Sequence, residues 1–129
     1  MQLQLIDGLP FASVVLAYRN KAIEIHNVLI DTGSATTVLA ADQVAQVDLV
    51  PAPDDILHTI RGVGGAEVVF SRQVDSLQLG ECQLADFEIE VGGMDYGFDI
   101  NGILGMDFLR TAKAISQSYN RSGSVSDTV

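Results

Sequence analysis

Asp31-Thr32-Gly33-Ser34 is the segment of this sequence best suited to chemistry, because it sets a carboxylate just past the apolar run Val28-Leu29-Ile30. A buried strand holds the backbone of such an acid rigid on one side and leaves a cleft on the other. Gly33 tolerates positive φ and lets its amide approach the carboxylate. Thr32 offers a hydroxyl that can reach across a symmetry axis to a second copy. Ser34 offers another; donated to the ionised carboxylate, it would favour that form and lower its pKa, so that Ser34→Ala would move a pH profile upward. From average residue usage, these four residues in this order arise by chance in roughly one in a few hundred chains of this length. The competing reading is an Asx turn at a strand end, which is what most Asp-Thr-Gly triplets are.

Other chemistries find less support. Ser34 lacks the Gly-x-Ser-x-Gly setting of a nucleophile elbow. His26 and His58 could in principle serve it as base, but structural roles suit both better. Cys82 stands alone beside a turn, so no disulfide can form within the chain and a small packed side chain is expected. One Cys and two widely spaced His make no zinc pattern, and no metal or other cofactor is expected. Gly62-Val63-Gly64-Gly65 precedes a strand-like run and lacks the Gly-Lys-Ser/Thr ending of a phosphate loop.

The elements that must position Asp31 read mainly as strands, short Val-, Ile-, Leu-, Thr- and Phe-rich runs cut by Gly, Asp and Asn. Gln2–Ile6 alternates like an edge strand. Ala12–Tyr18 and Lys21–Ile30 flank an Arg19-Asn20-Lys21 turn. Within the second run the apolar residues slip from odd to even positions, which predicts a bulge near His26-Asn27. Ala40–Val47 suits about two helical turns. His58–Val63 and Ala66–Val74 form a hairpin around Gly64-Gly65, and Ser76–Leu79 and Gln83–Val91 another around Gly80-Glu81. Gly92–Asn101 reads as a loop, Ile103-Leu104 as a short strand and Met106–Ala112 as one short helix. Residues 1–119 are read as one domain and 120–129 as a polar, disordered tail.

The chain has 129 residues, 47% of them apolar, enough for one core. Seventeen acids against seven bases leave a formal charge of −10, which repels phosphate backbones and argues against a nucleic-acid partner. No apolar run approaches the ~20 residues that cross a bilayer, so no membrane partner is expected. The N-terminus shows no basic region ahead of an apolar block, and a cytoplasmic location is the expectation.

A second segment, Gly102-Ile103-Leu104-Gly105-Met106-Asp107-Phe108-Leu109, lies some seventy residues after Asp31. Alone it is an ordinary strand–turn–helix. With Asp31-Thr32-Gly33-Ser34 before it and the Gly62–Gly65 hairpin tip between, it resembles the retropepsin-like aspartic proteases over roughly residues 10–115. The resemblance implies a closed β-barrel of the acid-protease type with one short helix near the C-terminus. It implies that Asp31, Thr32 and Gly33 are catalytic, with Ser34, Ala35, Ile103, Leu104 and Gly105 supporting them. It implies a flap at Ile60, Gly62, Val63, Gly64 and Gly65 over a peptide or protein substrate.

The mechanism implied needs two carboxylates sharing one proton, as aspartic proteases do generally. The ionised acid takes a proton from water while the protonated one hydrogen-bonds the scissile carbonyl. This chain has a single Asp-Thr-Gly; Asp75-Ser76-Leu77 lacks the Gly, and Asp95, Asp99 and Asp107 suit loop solvation or, for Asp107, a helix N-terminus. A two-fold homodimer pairing Asp31 with Asp31 is therefore expected. Ala114–Tyr119 makes a polar, poor interface strand. That leaves a second reading, a retropepsin-fold dimerisation or peptide-binding module with little catalysis, and a remote third, a β-barrel that binds a small ligand.

Overall fold

Arg19 and Asn20 both take positive φ, 50° and 69°, the two-residue turn whose twist matches that of a hairpin. They join β2 (Leu9–Tyr18) to β3 (Lys21–Ile30). The computed structural model describes residues 3–6, 8–62, 65–93 and 99–121, with the backbone alone for 60–62, 65–67 and 114–121. β1 (Gln4–Ile6) precedes this hairpin. After it come β4 (Val38–Ala40), α1 (Ala41–Val44) and one turn of 3-10 helix (Ala45–Val47). Then follow β5 (Leu57–Gly62), β6 (Gly65–Leu79), β7 (Cys82–Gly92), β8 (Gly102–Leu104) and α2 (Met106–Arg121).

The sheet order is β1-β2-β3-β8-β4-β7-β6-β5, and β2 also pairs with β6. Six strands thus close into a ring, with β1 and β5 outside it. Closure removes free edges from the six, and the mainly β, barrel-like architecture matches the expectation. The bulge lies where the apolar register slips: Ala12 pairs with Val28 and Val14 with Ile25, so His26 and Asn27 oppose Ser13 alone. Asn27 takes φ 60° to accommodate it.

Two clusters bury the strands from both sides. Val28 packs with Val14, Leu16, Ile25, Leu39, Leu104 and Phe108 inside the ring. Its neighbour Leu29 packs on the other face with Phe11, Val38 and Ile103. Successive residues of a strand face opposite ways, so Asp31 leaves a strand buried on both faces. Phe108 of α2 is fully buried and meets Phe87 edge-on at 5.5 Å. Burying such a ring contributes on the order of 2–3 kcal/mol.

Three readings of the sequence need correction. β6 is one strand of 15 residues rather than two; Asp75, read as a break, points outward and accepts the Arg19 amide at 3.1 Å. The C-terminal helix continues past Ala112. It runs 16 residues, so Ala114–Tyr119 is helical backbone and not a strand. Phe108, Ala112 and Ile115 recur at helical spacing, and no glycine or proline interrupts the run. Residues 122–129 of the expected tail lie outside the described residues. Among the described residues no helix is long and apolar enough to cross a membrane.

Candidate active site

Asp31 continues β3 by one bond, its amide donating to the Leu104 carbonyl of β8 at 3.0 Å. The chain then turns at once. The Gly33 amide donates to Asp31 Oδ1 at 2.9 Å, and the Ser34 amide to the Asp31 carbonyl at 3.1 Å. Asp31 and Ser34 are half-buried, whereas Thr32, Gly33 and Ala35 are exposed. Gly33 does not use left-handed backbone, but its amide approaches the carboxylate as expected. Its need for glycine is the approach itself, since a Cβ there would lie 3.2 Å from Asp31 Oδ1.

Ser34 differs from expectation. Its hydroxyl donates to the Thr36 carbonyl at 2.8 Å, and a hydroxyl has one proton to give. It is a loop brace rather than a donor to the carboxylate.

The second sequence segment backs this loop. The Met106 amide donates to the Ser34 carbonyl at 2.8 Å, and the Asp107 amide to the Ala35 carbonyl at 3.2 Å. Gly105 is required by contact: a Cβ would sit 2.6 Å from the Thr36 carbonyl carbon and 2.9 Å from the Ser34 oxygen. Ile103 and Leu104 are buried on opposite faces of β8, which pairs parallel to β3 and antiparallel to β4. Two segments seventy residues apart thus form one unit.

Asp107 is the residue sequence reading undervalued. Its Oδ1 accepts the Thr37 hydroxyl at 2.8 Å and the Phe108 amide at 2.7 Å, and its Oδ2 accepts the Thr37 amide at 3.1 Å. The Thr37 hydroxyl in turn accepts the Gly105 amide at 3.1 Å. Thr37 is fully buried, and its signal in the sequence was a hydroxyl directly heading the apolar run Val38-Leu39-Ala40.

The β5–β6 hairpin closes with Gly62 opposite Gly65, and Ile60 pairs with Glu67. Val63 and Gly64 lie outside the described residues. At the hairpin base a groove of about 500 Å³ runs between Thr36, His58, Ser71, Glu90 and Asp107. A larger groove of about 720 Å³ lies elsewhere, on the outer face of β2 and β3 around Ser13 and His26, and does not include Asp31. Both histidines are engaged away from Ser34: His26 Nδ1 with the Ser13 hydroxyl at 2.8 Å, His58 Nε2 with the Ser71 hydroxyl at 3.0 Å. Burial pushes the Cys82 thiol up, away from the thiolate a nucleophile needs. Among the described residues no group of three or more His, Cys, Asp or Glu is set to hold a metal ion.

Comparison with known proteins bears on this unit. The aspartyl protease family model matches residues 18–108, from the end of β2 through Asp31 to the buried Phe108. The chain belongs to the aspartyl protease family. Among solved structures, it is similar to a retropepsin-like aspartic protease from Rickettsia conorii, with a TM-score of 0.58 and 18% sequence identity. That likeness covers 81% of this chain and 79% of the other, and it shows the fold to be retropepsin-like. No curated protein matches the chain. For a member of this family, the matched span takes in both segments that the hydrogen bonds join.

Proposed function

We propose that this chain is an aspartic endopeptidase that acts as a homodimer, with one domain over residues 1–119 in each copy. In this reading Asp31 of each protomer meets its twin at a two-fold axis, and the pair shares one proton. The ionised Asp31 takes a proton from a water, which attacks the scissile carbonyl. The protonated Asp31 hydrogen-bonds the carbonyl oxygen, and no covalent intermediate with the enzyme forms. Thr32 and Gly33 complete the catalytic loop, with Ser34, Ala35, Ile103, Leu104 and Gly105 as its support. The β5–β6 hairpin serves as the flap over an extended peptide, through Ile60, Gly62, Val63, Gly64 and Gly65.

The observation that carries the reading is the presentation of Asp31. It leaves a strand buried on both faces, its carboxylate is held by the Gly33 amide at 2.9 Å, and its loop is backed by α2. Asp31→Asn at unchanged dimer content is expected to lower kcat/KM for peptide cleavage by at least about a thousandfold. Equal cleavage by the two proteins would end the assignment.

One observation favours the second reading, a dimerisation or peptide-binding module. α2 occupies residues that would otherwise offer a C-terminal interface strand. A statine-type transition-state mimic separates the two: the enzyme binds it more tightly than the parent peptide, and the module does not.

A further inference from the structure

We propose that Glu90 is a positioning residue for this reaction, its carboxylate fixing the end of the Asp31 loop that meets β7; the inference rests on the peptidase reading above. The loop from Asp31 to Thr37 is clamped on one side by β8 and α2, through Leu104, Gly105, Met106 and Asp107. β7 stands at the edge of β4 away from β8. There the Thr36 hydroxyl donates to Glu90 Oε1 at 2.7 Å, and the Glu90 amide donates to the Thr37 carbonyl at 2.9 Å. Thr36 passes the restraint on, because its carbonyl accepts the Ser34 hydroxyl at 2.8 Å. Two hydrogen bonds therefore connect the Glu90 carboxylate to a residue three positions from Asp31. Among the described residues, Asp107 and Glu90 are the only side chains outside the loop that bond to it.

The chemistry suits the task. Thr36 and Glu90 are both half-buried, and a hydroxyl donating to an ionised carboxylate makes a short, strong bond. Glu90 also stands opposite Ser71 in the β6–β7 register, and cross-strand partners share a face. On that face Ser71 bonds His58 of β5, four residues before Gly62. Thr36, Glu90, Ser71 and His58 line the same groove, so the anchor of the loop and the base of the hairpin meet in one place.

The test is steady-state kinetics on the full chain, at a concentration where every variant is dimeric and folded by its melting curve. Glu90→Leu and Thr36→Val are each expected to lower kcat about tenfold with KM within about twofold, because they loosen the orientation of Asp31 and not substrate affinity. The double variant is expected to be no slower than either single one, since both remove the same bond. Glu90→Gln and Thr36→Ser keep an acceptor and a hydroxyl, and should stay within about threefold of wild type. Should Glu90→Leu fail to fold, the isosteric Thr36→Val against Thr36→Ser carries the test. Single effects that multiply to about a hundredfold, an effect confined to KM, or an unchanged kcat would each overturn the proposal. An active wild type beside an equally active Glu90→Leu sinks this inference alone; a wild type that cleaves no peptide removes the peptidase reading and this inference together.

Discussion

Two half-buried carboxylates in this molecule each collect a backbone amide and a side-chain donor, with different partners. Asp107 takes the amide and hydroxyl of Thr37 and so holds the loop of Asp31. Asp55 takes the Ala52 amide at 2.6 Å and the Arg72 guanidinium at 2.8 and 3.0 Å. Arg72 also reaches the Tyr18 hydroxyl and the Val50 carbonyl, pinning the loop around Pro51 to β2 and β6. The first clamp uses neutral donors, the amide and hydroxyl of Thr37. The second pairs charges. The Ala52 amide, with Arg72 adding to it, outweighs desolvation and holds the Asp55 carboxyl below its usual range. For Arg72, desolvation works against the charge, but the bonds to Tyr18 and Asp55 prevail and its pKa is raised. The contrast separates a clamp on the loop of Asp31 from one on the loop around Pro51.

The sharpest way to break the first clamp is Gly105→Ala. Its new Cβ would meet backbone of Ser34 and Thr36, which cannot swing aside as a side chain could. A loss of at least about 3 kcal/mol in chemical denaturation is expected, with cleavage abolished. Asp107→Ala comes next. It leaves the amide and hydroxyl of the fully buried Thr37 without acceptors, at a cost of about 2–3 kcal/mol, and under the proposed function cleavage per folded chain should fall with it. Asp107→Asn, keeping one acceptor, should lose less of both.

The second clamp should behave otherwise. Arg72→Met is expected to lower the melting temperature by a few degrees at neutral pH and, under the proposed function, leave kcat of the folded protein unchanged; a large kcat loss would erase the difference between the clamps. Because the folded pKa of Asp55 is depressed, its contribution is full above the unfolded value, about 4, and is lost as pH falls through the lower folded value. Asp55→Asn should therefore flatten that acid limb of the stability curve, read by denaturation at a series of pH values. The smallest effect belongs to Ser34→Ala. Its hydroxyl serves the Thr36 carbonyl, so the pH profile of cleavage should stay in place while stability drops by about 1 kcal/mol.

Much of this was legible in the residues. The Arg19-Asn20 turn, the bulge at His26-Asn27 and the strand Ile103-Leu104 follow from local chemistry and strand periodicity, and each appears where expected. Asp31 and Gly105 stood out because their spacing carries a pattern. What was not legible involves groups whose role depends on distant neighbours. Asp75 looks like a strand breaker until the Arg19 amide is seen beside it. Ser34 looks like a donor to Asp31 until the turn brings the Thr36 carbonyl closer to its hydroxyl. Ala114–Tyr119 looks like a failed strand until the helix begun at Met106 is seen to carry through it.

The sequence by itself determined that short apolar strands alternate with turns, and that a lone carboxylate follows the strand ending at Ile30. Those depend on interactions within a few residues, where side-chain period and turn chemistry act directly. Only the tertiary structure decided that Asp107 and Glu90 both bond to the loop, and that the ring closes through β2 and β6. Such contacts join residues some fifty to seventy positions apart, and their hydrogen-bond partners are chosen by the packing of β3, β8, β7 and α2 rather than by neighbours in the chain.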